Sequence, residues 1–265
     1  DSESDIRFVY CAASICYVLD LWDAVNVERM MGFITASQTY DRAFGMGPQT
    51  ESHGGCTYCA LASLAMMGRL SDVPGKEQLI DWCVKRQHFG FQGRIEKAMD
   101  SCYSFWVGAS MKLLGVDDLL DREACAGFIK QCESSATGGF QKFPESEGPD
   151  LLHSYFSVCG LSLCGLLKPL NPLLNISEDA FTAAPGFCRM APGGTKWMPP
   201  LLPSELISAL PPPEQPTQPQ PTQQQPTQQQ PWIGWKAVLV VMAIALLLPD
   251  VINFIRKQFG RAPSL

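Results

Sequence analysis

Tyr103-Ser-Phe-Trp-Val-Gly-Ala-Ser110 opens on aromatics, runs through small residues and closes on a serine. The pattern occurs four times. Arg7-Phe-Val-Tyr-Cys-Ala-Ala-Ser14, Gly55-Cys-Thr-Tyr-Cys-Ala-Leu-Ala-Ser63 and Tyr155-Phe-Ser-Val-Cys-Gly-Leu-Ser162 align with it on their serines, which stand 49, 47 and 52 residues apart. A period of about 50 residues with helix-type composition means stacked supersecondary units. Each unit reads as a loop, a small-residue-rich helix closing on Gly68, Gly115 or Gly165, and a second, more polar helix. Glycine just past a helix end suits the left-handed backbone found there. Ala, Ser and Gly on the first helix of each pair permit close packing, so those helices are expected to face inward. Loops rich in Gly and Pro precede them (Ala43–Pro48, Gly90–Gly93, Gly138–Phe140). The inner helices should therefore start at one common mouth, and His53, Asp100, Cys102 and His153 all lie at those starts. The expected class is all-α.

The rest of the chain sets limits. Its 265 residues are 46% apolar and 17% charged, enough for a sizeable core. A net charge of −6 and the lack of a long basic run argue against nucleic acid as a partner. Eleven cysteines, an odd and scattered set, suit a reducing compartment better than a disulfide framework. Cys56-Thr-Tyr-Cys59 has no second pair at zinc-ribbon spacing and reads as helix core. The opening Asp1-Ser-Glu-Ser runs directly into an apolar stretch, as a piece beginning inside a fold would. After about Ser177 the composition shifts, which divides the chain into a repeat domain at 1–182, a Pro/Gln-rich linker at 183–231 expected to be disordered, and a hydrophobic helix at 232–257. The uninterrupted apolar run Ala237–Leu248 has 12 residues, short of the roughly 20 that span a bilayer. Flanking Trp232, Trp235, Arg256 and Lys257 resemble interfacial anchors. Membrane association, a plain apolar helix and a gene-model artefact all remain open for this tail.

Chemistry concentrates at the mouth. Asp100-Ser-Cys102 and His153 can give one metal a carboxylate, a thiolate and an imidazole, leaving the fourth position open as in catalytic zinc sites. A lone D-x-C pair is common, and a free cysteine is often just a small buried hydrophobe. Here, however, His53, Arg94, Lys97 and Tyr103 surround the pair, and such donors around a helix start suit a phosphate leaving group. Asp117-Asp-Leu-Leu-Asp121 resembles the magnesium motif of isoprenoid synthases, but its place between two helices reads as an N-cap with an acidic first turn. Asn175-Ile-Ser177 fits a glycosylation sequon that means little in a cytosolic chain.

The strings E-S-H-G-G, G-R-x-x-K-x-x-D-x-C-Y-S-F-W, G-G-F-x-K and L-H-S-Y-F-x-x-C-G-L-S-L resemble the β subunits of the protein prenyltransferases, in register over residues 6 to 177. The resemblance implies an α/α toroid, here incomplete at the N-terminus, with a zinc ion and an isoprenoid diphosphate at its centre and a helical α subunit as partner. It implies Asp100, Cys102 and His153 as zinc ligands and catalytic residues, His53, Arg94, Lys97 and Tyr103 around the diphosphate, and Trp106 walling the lipid pocket. By the same resemblance, Leu152 before the zinc histidine, and Lys142 where the farnesyl-transferring and Rab-type branches carry an Asp that in the farnesyl-transferring enzyme is linked to magnesium, favour the geranylgeranyl-transferring type I branch. The implied reaction joins geranylgeranyl diphosphate to the cysteine of CaaX proteins such as small GTPases, in the cytoplasm and without magnesium. A farnesyl-transferring β subunit and a non-catalytic, membrane-tethered interaction protein are the rivals. The departures are absent first hairpins, a G-G-F degraded to Arg42-Ala-Phe44, and final helices replaced by linker and tail.

Overall fold

The computed structural model describes residues 4–183. Four apolar helices alternate with four more polar ones. The first set comprises α1 (Ile6–Leu19), α3 (Gly54–Met66), α5 (Tyr103–Leu114) and α7 (Leu151–Leu163). The second comprises α2 (Val27–Ala36), α4 (Lys76–Val84), α6 (Arg122–Gln131) and the short α8 (Glu178–Ala183). Packing follows this alternation: α1 lies on α3, α3 on α5 and α5 on α7, while the polar helices flank them. All thirteen residues of α3 are buried, which its Gly, Ala, Ser and Cys content permits by letting neighbours approach from every side. By contrast α6 buries only Cys125, Phe128 and Ile129, one stripe at helical spacing, and turns its charges outward. The inward placement expected of the small-residue helices is found.

Helix ends follow local chemistry. Gly68, Gly115 and Gly165 take φ of 70°, 76° and 80° just past α3, α5 and α7. At the corresponding end of α1, Asp20 adopts the same left-handed turn at φ 52°. Residues before each inner helix set the repeat more regularly than the serines do. The N-caps Asp5, His53, Cys102 and Asp150 stand 48, 49 and 48 residues apart. Ser14, Ser63 and Ser110 each return their hydroxyl to a carbonyl four residues back, whereas Ser162 bonds Lys168 instead. Ser162 stands 12 residues past its N-cap, against 9, 10 and 8 for the other three, so an alignment on it is out of register.

The loops act as clamps. In each, a phenylalanine carbonyl accepts the N–H that leads into the following inner helix: His53 to Phe44, Asp100 to Phe91, Asp150 to Phe140. Two residues further on, another carbonyl accepts an N–H from the start of the preceding inner helix: Ile6 to Met46, Gly54 to Gly93, Ser101 to Lys142, all at 2.8 Å. One loop thus holds two helix starts at a set spacing, satisfying donors that a helix end otherwise leaves bare. Arg42, in the loop whose Gly-Gly is lost, still takes φ 70°, as Gly138 does at φ 71°.

Among the described residues the helices are joined by one two-stranded strap, β1 (Leu170–Asn171) paired antiparallel with β2 (Ile176–Ser177). Its turn buries Leu173 against the aromatic core, and its carbonyls accept the hydroxyls of Tyr10, Tyr58 and Tyr155. Asn175 is buried in this strap, so a glycan on it would have no room. Cys56 and Cys59 lie inside α3 as expected, and ten of the cysteines are buried and free among the described residues. Asp121 caps α6 by accepting the Ala124 N–H, as read for the acidic motif. No helix among the described residues is long and apolar enough to cross a membrane. The expected linker and the hydrophobic helix at 232–257 lie outside the described residues.

A candidate metal and anion site

The clamp loops bring Asp100, Cys102 and His153 together, and one ligand atom from each lies within 4.8 Å of the others. That is close to the span of about 4 Å that two metal–ligand bonds of about 2.0–2.3 Å can bridge. All three residues are buried. Asp100 Oδ1 accepts the Cys102 N–H at 3.0 Å and stands 3.3 Å from His153 Nε2. Behind the imidazole, Asp150 Oδ2 receives Nδ1 at 2.6 Å while Oδ1 accepts the His153 backbone N–H at 2.9 Å. The Nδ1 proton is thereby committed to Asp150, which turns Nε2 toward Asp100 and Cys102. This carboxylate–histidine arrangement is the usual support of a metal-ligating imidazole.

Charge in the cluster fits a cation. Burial, then the Asp100 carboxylate, pushes the Cys102 thiol well above its usual range, with Lys142 acting in the opposite sense. Burial opposes a charged imidazole at position 153, but Asp100 and Asp150 outweigh it and raise His153 above its ordinary value. A carboxylate, a thiol and an oriented imidazole form the mixed oxygen, sulfur and nitrogen set that zinc accepts, and metal binding would displace the proton held on sulfur.

The second group lies one helix away. His53 accepts the Gly55 N–H on Nδ1 at 3.0 Å and contacts the Tyr103 hydroxyl through Nε2 at 2.9 Å. Burial, followed by the charges of Arg94 and Arg7, lowers His53 to a pKa of about 4. A neutral His53 that accepts on Nδ1 carries its proton on Nε2 and donates it to Tyr103. The Tyr103 proton is then available to an incoming anion. Tyr103 is seated by glycines, since a Cβ at Gly93 would fall inside its ring and one at Gly54 would press its edge.

The remaining expected residues are spread around these two groups. Arg94 pairs with Glu51 at 2.8 Å at the rim. Lys97 is exposed and forms no ion pair among the described residues. Lys142 Nζ lies 3.9 Å from Asp100 Oδ2, on the metal side of the mouth. Trp106 sits deeper, packed on Tyr58, Phe105 and Phe156 with ring centroids 4.2 to 5.2 Å away. Sequence reading missed Asp150 and Arg7. Asp150 stands three residues before the candidate ligand His153, at an N-cap. Arg7, held by the buried Asp5, occupies the first turn of an inner helix that opens on the same mouth.

Comparison with known proteins agrees with this fold. Residues 1–176 match the prenyltransferase alpha-alpha toroid domain. The chain is 45% identical over 198 residues to the geranylgeranyl transferase type-1 subunit beta of Arabidopsis thaliana, covering 69% of this chain and 52% of that protein. Its identity to the Dictyostelium discoideum protein of the same name is 43% over 179 residues, covering 66% and 51%. The chain thus spans about half the length of these curated relatives. Among solved structures, Candida albicans protein geranylgeranyltransferase-I complexed with GGPP superposes with a TM-score of 0.58 at 28% identity, over 67% of this chain and 55% of that one. With the match running through every inner helix and both halves of the mouth, this chain belongs to the prenyltransferase alpha-alpha toroid family.

Proposed function

We propose that the chain supplies the zinc- and diphosphate-binding part of a type I protein geranylgeranyltransferase β subunit. It would transfer geranylgeranyl from its diphosphate to the cysteine of C-terminal CaaX motifs. The observation that carries this reading is the buried Asp100–Cys102–His153 cluster standing beside the Tyr103–His53 pair. Zinc held there would supply a Lewis acid that keeps an acceptor thiol as thiolate near neutral pH. Tyr103, oriented by neutral His53, donates to the departing diphosphate, and Arg94, Lys97 and Lys142 offset its charge. Trp106, with Tyr58, Phe105 and Phe156, forms an apolar wall for the lipid. Lys142 places fixed positive charge near the mouth, so turnover should not require magnesium.

A helical α subunit is the proposed partner, and CaaX proteins such as small GTPases are the proposed acceptors. Free, buried thiols suit the cytoplasm. Identities of 45% and 43% to type-1 β subunits extend over 198 and 179 residues, whereas farnesyltransferase β subunits reach 34% over 177 residues or 40% over only 118, which favours geranylgeranyl over farnesyl. The direct test co-expresses the chain with an α subunit and measures transfer of labelled geranylgeranyl to a CaaX-Leu peptide, with and without magnesium. Zinc-dependent transfer that survives magnesium removal is expected. Zinc binding without any transfer would leave the non-catalytic interaction protein as the better reading.

A further inference from the structure

Two positions recur in each outer helix and the inner helix after it. One is four residues past the N-cap of the outer helix, and the other precedes the left-handed glycine that ends the inner helix. In α2 and α3 they hold Met30 and Met67, and in α4 and α5 Leu79 and Leu114, all exposed by 2% or less. In α6 and α7 they hold Cys125 and Cys164. The third pair of helices therefore puts two thiols where the others put two large apolar side chains. The crossing of α6 over α7 brings these thiols together. Arg122 Nη1 donates to the Leu163 carbonyl at 3.0 Å, and a Cβ at Gly160 would stand 3.0 Å from Ile129 Cδ1. Cys125 lies between Arg122 and Ile129 on the face they share. The Cys164 N–H bonds the Gly160 carbonyl one turn back at 2.9 Å. Between the two elements, the Cys125 thiol donates a hydrogen bond to the Cys164 sulfur. Cys164 stands 11 residues past His153, about 16 Å along the helix axis, so the pair lies apart from the metal cluster.

The two sulfurs are unlike. The hydrogen bond from Cys125 outweighs burial and holds the Cys164 thiol below its usual range, with Arg122 acting in the same sense and Asp121 against it. That bond and burial raise Cys125. Burial raises every other described thiol. Cys164, at 8%, is also the most exposed of the ten described cysteines. A thiolate is the nucleophile in exchange with disulfides, and a second thiol touching it can resolve the mixed product.

The geometry points to Cys125 and Cys164 as a reversible redox pair that reacts with small-molecule disulfides of the glutathione type. The Cys164 thiolate attacks one sulfur of the small disulfide, forming a mixed disulfide and releasing a thiolate that takes the Cys125 proton. The Cys125 sulfur then attacks Cys164 Sγ, and the second small thiolate leaves and is protonated by water. The protein thiols have lost two electrons, and the small disulfide has become two thiols. The product staples the first turn of α6 to the end of α7 and closes a loop of about 40 residues. This site goes beyond prenyl transfer and does not depend on it.

The test uses the full 265-residue chain, reduced and then treated with glutathione disulfide at pH 7. Remaining thiols are trapped with N-ethylmaleimide, and linked peptides are identified by mass spectrometry. A Cys125–Cys164 link that dithiothreitol reverses is expected. Cys125→Ser keeps a hydroxyl donor beside Cys164 and should accumulate the Cys164 glutathione adduct at least tenfold over the parent, whereas Cys164→Ser should leave Cys125 unmodified. Thermal melts give a second readout: the oxidised parent should melt at least about 4 °C above the reduced parent, a gap that Cys125→Ser abolishes. A Cys164 adduct that persists in the parent, a link from Cys164 to Cys188 or to a second chain, an unmodified Cys164, or equal melts for both forms of the parent overturns the proposal.

Discussion

Replacing Asp150 by Asn separates two roles that one side chain performs. Oδ1 caps α7 by accepting the His153 N–H at 2.9 Å, and Oδ2 holds Nδ1 at 2.6 Å. Asparagine keeps an acceptor for the cap but presents an amide donor to the Nδ1 proton. The imidazole then loses its charged partner and its set tautomer. Loss of such a supporting carboxylate costs about 10–100-fold in metal affinity, or about 1.4–2.7 kcal/mol. Metal-free stability should move by less than about 1 kcal/mol, because the cap survives. Asp150→Ala removes both interactions, and its metal-free stability should fall by about 1 kcal/mol more. Zinc affinity is read by competition with a chromophoric chelator at pH 7, and stability by thermal melts of the metal-free chain. If Asp150→Asn holds zinc as tightly as the parent, Asp150 does not orient the ligand. If it melts like Asp150→Ala, the two roles are not separable as drawn.

Gly93→Ala drives a methyl into the Tyr103 ring, so overpacking should cost about 1–3 kcal/mol. It should weaken geranylgeranyl diphosphate binding while geranylgeraniol binding persists; equal affinity for the diphosphate in parent and variant counts against Tyr103 as the donor. His53, held by burial and by Arg94 and Arg7 at a pKa of about 4, lies below its unfolded value of about 6.5. The unfolded state therefore binds more protons between those values, and this term destabilises the fold as pH falls from 7 to 5, by about 2 kcal/mol. Denaturant titrations should show the stability gap between the parent and His53→Gln narrowing over that range; a constant gap would show that His53 is protonated alike in both states.

Much of the fold was legible because the repeat writes the same local instructions each time. Small residues on the inner helices and glycine past their ends are read at short range, and both hold in α3, α5 and α7. The serines misled at Ser162, since a hydroxyl returned to the helix backbone is an optional feature, while a loop carbonyl over a helix start recurs in register. Asp100, Cys102 and His153 were visible through donor chemistry. Asp150 was overlooked because a capping aspartate looks alike whether or not it also holds a ligand. The strap at Leu170–Ser177 left no periodic trace: Leu173 is buried by tyrosines more than 100 residues away in sequence. Arg7 lay inside a pattern read only for its small residues.

The clamp bonds also set a timetable for synthesis. Ile6 waits for Met46, Gly54 for Gly93 and Ser101 for Lys142, intervals of 40, 39 and 41 residues. At about 5–20 residues per second on the ribosome, each inner helix start stays uncovered for about 2–8 s after it is made. Folding of this chain therefore trails its own translation by nearly one whole repeat. The thiol of Cys102 and the imidazole of His153 meet only after a nascent helix start has spent seconds open to chaperones, oxidants and stray metal.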